Sequence, residues 1–352
     1  MLKPAQIVKN PSVERLLKLW AQRYKMDLSS LSLFEEPSVN SFSAAASPAG
    51  RALTTTKLKL NSLNINTQMA WILTKSLYNY IPNVLDFSEA RRITEITLIV
   101  YCQILNIYQQ QLLSTDSLTV ERLQAAGYDE GNLFSVWGIP PIEELAYTLE
   151  PTLIAFQGEH TACQDWRAIG FMTTQLKFTN KLILKLLAPV EKILLCPYFK
   201  FIEEQVAIPW QRICAASVKQ ELDSPTLILV EQMLLASEGI SKTVYSQLVE
   251  HFPNYHSRSG NLTHPDVAHS SIRDLNMFQA YLYLCILEQS LVPIEQELLP
   301  LCKIVLEKVE VKWEILEKWM QLLIDEIIRR VKPEQNAILL PYIQGMQQAF
   351  FQ

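Results

Sequence analysis

Residues 161–187 read TACQDWRAIGFMTTQLKFTNKLILKLL. Met172, Leu176, Leu182, Ile183, Leu186 and Leu187 return at helical spacing on one side. Lys177, Lys181 and Lys185 stand four apart and span about 80° of the other side at 100° per residue. No acidic residue interrupts 166–190, and Pro189 supplies the stop. The stretch predicts one long amphipathic helix. The rest of the chain repeats that grammar, with no sustained period-two alternation of β-branched residues anywhere.

Composition supports the same reading. The 352 residues include 52 Leu and only 9 Gly, where average usage would give roughly 25 Gly. Gly costs a helix about 1 kcal/mol relative to Ala, and Leu costs little. No two glycines stand two residues apart, so GxG is absent. Phosphate-cradling Gly loops, and with them the P-loop and dinucleotide folds, are excluded. With 49% apolar residues and 19% charged, the chain can bury a sizeable core. The expected fold is all-α, a multi-helix orthogonal or bundle-like body of about ten helices.

Outward from the central helix, segments are set by their stops and starts. Asn10-Pro11-Ser12 opens a first helix whose apolar face is Val13, Leu16, Leu17, Trp20 and Tyr24. Residues 37–60 include SVNSFSAAASPAG, small and nearly uncharged, which reads as a flexible linker. The expected organisation is a tethered N-terminal helix (1–36), that linker, and a helical body (61–352) with lobes 61–159 and 160–352 open as a division. In the body, Met69, Ile72, Leu73, Leu77 and Tyr80 form an apolar face that ends at Pro82. Asp86 to Glu89 (DFSE) is a capping box for a helix to about Leu113. Ser224-Pro225 starts a helix to Leu235, and Ser241–His251 reads as another. A polar loop follows to Asn261. A helix then runs to Leu291, a long one spans Leu301–Val331, and Pro333 opens the last. Leu187-Ala188-Pro189-Val190-Glu191 echoes Leu291-Val292-Pro293-Ile294-Glu295 at an offset of 104, as either a duplicated unit or a shared way of starting a helix.

The blocks Trp166–Trp210 and Ser270–Leu291 resemble a cyanobacterial group of uncharacterised all-helical proteins. The resemblance implies a bacterial photosynthetic context and no particular activity.

Candidate sites are few. His251, His256, His264 and His269 fall within nineteen residues, with Asp266 among them, the ligand types that zinc or iron would need. Yet HExxH and the di-iron ExxH are missing, and NYHSRSGNLTHPD has the composition of an exposed loop, so no metal or other cofactor is expected. Helix-turn-helix spacing at 119–138 comes with a single basic residue, Arg122, too few for phosphates. With a net charge of −5, no nucleic-acid partner is expected. Glu143-Glu144 and Glu203-Glu204 are adjacent and point apart on a helix. No two of the six cysteines are closer than 17 positions, and they read as small buried hydrophobes of a reducing compartment. MLKPAQIVKN has no apolar leader core, and no apolar stretch reaches the ~20 residues of a membrane span. A cytoplasmic location is expected.

The sequence therefore leans away from an enzyme and toward a non-catalytic interaction, regulatory or scaffold protein whose partner is another protein. The expected partner-binding residues are Leu16, Leu17 and Trp20 of the first helix and Lys177, Lys181 and Lys185 of the lysine stripe. The alternative is an all-α enzyme or small-ligand binder with a pocket near 251–279. Peripheral membrane contact through the lysine stripe is a third reading.

Overall fold

The structure, a computed structural model, describes residues 7–24, 39–78, 87–111, 142–163, 166–257, 260–308 and 312–351. Among them the chain is all-α, with fourteen α-helices and one two-residue hairpin. The capping carboxylate expected at Asp86 and the segment 119–138 lie outside the described residues. No described helix is long and apolar enough to cross a membrane. The chain forms two compact units, Met1–Leu19 with Leu153–Gly170 and Glu204–Gln352, and Trp20–Thr152 with Phe171–Glu203. Both are assembled from separate stretches of sequence, so the expected division at residue 160 is corrected.

The first helix, α1 (Pro11–Ala21), is capped as its sequence dictates, with the Ser12 N–H donating to Asn10 Oδ1 at 2.8 Å. In the first unit, α1 is joined to the body by Arg15, which bonds Glu231 at 2.6 Å and the Leu222 carbonyl at 3.1 Å.

The second unit begins with a correction. Where a linker is expected, the chain forms α2 (Val39–Ala46) and α3 (Pro48–Lys57). Small residues here make a tight helical corner rather than disorder. Ser47 caps α3, accepting from the Gly50 N–H at 3.1 Å, with Pro48 in the first turn. A Cβ at Gly50 would lie 2.1 Å from the Ala44 carbonyl, so only glycine fits the corner. Phe42, Ala46 and Thr54 are buried. Arg51 is buried too, its guanidinium 4.6 Å from the Tyr108 ring centre and its Nε donating to the Ala46 carbonyl at 2.9 Å.

The unit continues through α4 (Leu60–Leu77) and α5 (Phe87–Gln110), which pack together. It includes parts of α6 (Ile142–Cys163), α7 (Trp166–Leu184) and α8 (Pro189–Ala207). The long helix expected over 161–187 therefore starts at Trp166. Its core is aromatic and aliphatic: Tyr101 packs edge-on against Phe199, and Tyr108 against Tyr198. Two buried polar chains run through it. Tyr101 donates to Asn180, which donates to Glu203. Glu191 accepts from Lys57 at 2.7 Å, from Thr54 at 3.1 Å and from the Ala188 N–H at 2.8 Å.

The first unit is built around α11 (Pro265–Glu288), buried on every side from Leu275 to Leu287. That all-round burial marks a central helix. It packs against α9 (Trp210–Ser217), α10 (Pro225–His251) and α14 (Asn336–Phe350). A π-helical turn (Ile294–Leu298), α12 (Leu299–Lys308) and α13 (Trp313–Arg330) complete it. The expected break near Gly239 is absent, and α10 is continuous. Gly239 instead admits Arg330, whose Nη1 would sit 2.9 Å from a Cβ there. Arg330 also donates to Thr243 at 3.1 Å. The single helix expected over 301–331 is two, and the chain between them lies outside the described residues. Pro189 opens α8, and Pro293 immediately precedes the π-helical turn, so both members of the 104-residue echo start helical segments.

Candidate functional site

Helix α4 exposes several large apolar side chains. A helix 18 residues long has a buried side and an outer one, and here the two are exchanged. Leu63, Thr67, Ala70 and Thr74 point inward. Ile65, Met69 and Ile72 point outward, 62%, 45% and 56% exposed, with Leu73 and Leu77 on the margin. The inward side is fixed by polar bonds to α7. Gln175 donates to the Thr67 carbonyl at 2.7 Å and accepts from the Thr74 hydroxyl at 3.3 Å. Tyr78 bonds Thr174 at 3.0 Å, and Phe171 lies 5.0 Å from Trp71 and 5.4 Å from Tyr78 between ring centres. Met69, Ile72, Leu73 and Leu77 of the expected apolar face are exposed, and its Tyr80 lies outside the described residues. Burial of each such side chain would release about 1.5–3 kcal/mol.

The expected recruitment face is instead covered. Leu16, Leu17 and Trp20 are 0%, 2% and 1% exposed, and Val13 and Tyr24 are equally buried. The cover is this chain itself, which corrects the expectation that the face waits for another protein. In the second unit Trp20 donates to the Tyr24 hydroxyl at 2.6 Å, Arg23 stands 4.5 Å over the Trp20 ring, and Tyr24 meets Phe201 edge-on. An 11-residue helix such as α1 is marginal in water, and tertiary packing supplies what it lacks.

On the lysine stripe, Lys181 and Lys185 are exposed and Lys177 is half-buried. The stripe thus follows its predicted side of α7.

The histidines serve the fold one by one. His264 caps α11, its Nδ1 accepting from the Asp266 N–H at 3.2 Å. His251 Nδ1 lies 2.8 Å from the Gln247 carbonyl, and His256 Nδ1 lies 3.1 Å from the Asn254 carbonyl. His256 also starts the hairpin, paired with Asn261. His269 is exposed on α11. Among the described residues, no group of three His, Cys, Asp or Glu is arranged to hold a metal ion. Deeper in 251–279, Asn276 accepts from Ser241 at 2.7 Å, and Gln279 donates to Ser241 at 2.8 Å and to the Ser237 carbonyl at 3.1 Å. These amides join α10 to α11.

The densest charge cluster was not legible in the sequence. Arg212 of α9 is buried, and its guanidinium donates to Glu288 at 2.6 Å through Nε and to Glu297 at 2.5 Å through Nη1. Glu297 sits on the π-helical turn, and residues 85 apart give no local motif. Burial pushes the Glu297 carboxyl above its ordinary value, while Arg212 pulls it back. Burial also raises the nearby Cys285 thiol to about 12 and lifts Cys302 well above its usual range. Thiols so shifted stay protonated and unreactive. None of Cys102, Cys196, Cys214, Cys285 and Cys302 forms a disulfide.

Residues 222–350, a little over a third of the chain, match the family model described as phycobilisome protein. That segment runs from just before α10 to the end of α14 and contains the central helix α11. No curated protein and no solved structure matches the chain. Over 222–350 this all-α chain is thus similar to the phycobilisome proteins, which fits the cyanobacterial helical group it resembles.

Proposed function

We propose that the protein is a non-catalytic helical scaffold that works by contacting other proteins in an assembly of the phycobilisome type. The observation that carries this reading is the match of residues 222–350 to the phycobilisome protein family, a non-enzymatic light-harvesting and assembly family whose members assemble with other proteins. The packing of the first unit supports it. Arg212 donates to both Glu288 and Glu297, and His264, Asn276 and Gln279 hold helices in place. These polar groups serve architecture rather than turnover. A cytoplasmic location and a regulatory role in such an assembly belong to the same proposal.

The test is co-sedimentation. Purified full-length protein is layered on a sucrose gradient alone and with phycobilisomes isolated from a cyanobacterium. The reading expects a fraction of the protein to move from the top of the gradient into the particle fractions. Complete retention at the top, at micromolar concentrations of both, contradicts it.

A further inference from the structure

We propose that the outer face of α4 docks an acidic amphipathic helix of another protein. The proposal rests on the reading of the chain as an interaction protein and adds the chemistry of the partner.

Geometry supplies the shape. Ile65, Met69 and Ile72 are spaced four and three apart, so they form a straight seam along one side of the helix, the spacing by which one helix packs against another. The side turned inward carries Leu63, Thr67, Ala70 and Thr74, and the Thr67 carbonyl and Thr74 hydroxyl bond Gln175 of α7. Rotating α4 to bury the isoleucines would break those bonds. The seam is therefore held outward by the polar contacts behind it, and an apolar helix face recognises the apolar face of a second helix.

Charge supplies the partner. From Pro37 to Leu85 the chain holds no Asp or Glu, and α7, on which α4 rests, holds none either. The charges are Lys75 on α4 and Lys59 at its N-cap, both exposed, and Lys75 follows Ile72 by three residues, on a neighbouring part of the surface. The other neighbour, α5, exposes Glu95 but pairs it with Arg91 at 2.8 Å. An apolar seam flanked by lysines complements a helix with an apolar stripe and acidic flanks. A second copy of α4 would bring lysine to lysine, which disfavours self-pairing.

The experiment uses the full chain and two synthetic 21-residue helical peptides with the same leucine seam, one flanked by glutamates and one by lysines. Fluorescence anisotropy reads binding. The glutamate peptide is expected to bind saturably and the lysine peptide not to bind. Ile65→Ser with Ile72→Ser should weaken the glutamate peptide by about tenfold or more, while Lys75→Glu should weaken it by about threefold. Added salt should weaken binding, because exposed charges are screened. The serine variant should keep the parent melting temperature.

Equal binding of both peptides, or full affinity in the serine variant, overturns the proposal. So does a serine variant that melts several degrees lower, since the face would then be internal. Tighter binding to vesicles of phosphatidylcholine with phosphatidylserine, lost in the serine variant, would assign the face to lipid. Self-association in sedimentation velocity, abolished by the same variant, would assign it to a second copy. No phycobilisome enters this assay, so its failure is distinguishable from failure of the co-sedimentation test.

Discussion

Helices α1 and α4 each carry an apolar face, and the structure treats the two faces in opposite ways. In α1 the face of Val13, Leu16, Leu17, Trp20 and Tyr24 is wholly buried. In α4 Ile65, Met69 and Ile72 lie in solvent while Thr67 and Thr74 are inside. Sequence periodicity leads to α1 as a tethered arm and gives α4 only an apolar face within the helical body. Periodicity establishes that a helix has an apolar face. It does not establish what covers that face. The deciding contacts come from elsewhere in the chain: Glu231 and Leu222 for Arg15 of α1, and Gln175 for α4.

The comparison can be broken by substitution. The largest effect is expected at Trp20→Ala, which empties a fully buried site and should cost about 3–5 kcal/mol in urea unfolding. A cost near zero would return α1 to the role of a loose arm. A smaller loss is expected from Glu191→Gln, which removes the carboxylate that ties α3 to α8. Burial alone would raise the Glu191 pKa, but the Lys57, Ala188 and Thr54 hydrogen bonds and the Lys57 charge outweigh it and lower it. Its contribution is therefore present above the unfolded-state pKa and is lost as pH falls through the lower folded value. The parent and the variant should differ in melting temperature at pH 7 and converge in acid below that value. A difference that persists there would show that the group acts by packing alone.

Thr74→Val on the inner side of α4 should cost about 1 kcal/mol, because it leaves Gln175 Oε1 with one donor fewer. A stabilising effect would mean that the inner side tolerates an apolar residue and that the polar contacts do not hold the helix's orientation. The smallest effect is expected at Ile72→Ser, within about 0.5 kcal/mol, as for other exposed substitutions. A loss comparable to that at Trp20 would place Ile72 in the core and erase the contrast.

Much of the helical grammar was legible locally. Asn10 and Ser224 cap the helices that their sequences announce, and Pro225 stands in the first turn. The all-α class follows from leucine content and scarce glycine. Errors arose where meaning depended on distant residues. The small residues of 39–50 look like a linker until Gly50 is seen to admit the Ala44 carbonyl and Arg51 to lie over Tyr108. Gly239 looks like a helix break until Arg330 occupies the space it leaves. In the histidine-rich stretch, the rings of His251, His256 and His264 each turn to a local backbone partner. Arg212, Glu288 and Glu297 had no local signal, since the three meet only after α9, α11 and the π-helical turn are packed.

The central claim, that α1 turns its apolar face inward and α4 turns it outward, is tested most directly by hydroxyl-radical footprinting of the full chain. One exposure series reports Met69 and Ile72 of α4 and Leu16, Leu17 and Trp20 of α1 in the same sample. The account predicts rapid modification of Met69 and Ile72 and protection of Leu16, Leu17 and Trp20 until the protein unfolds. Protection of Met69 and Ile72 equal to that of Leu16, or rapid modification of Trp20 in the folded protein, would contradict it.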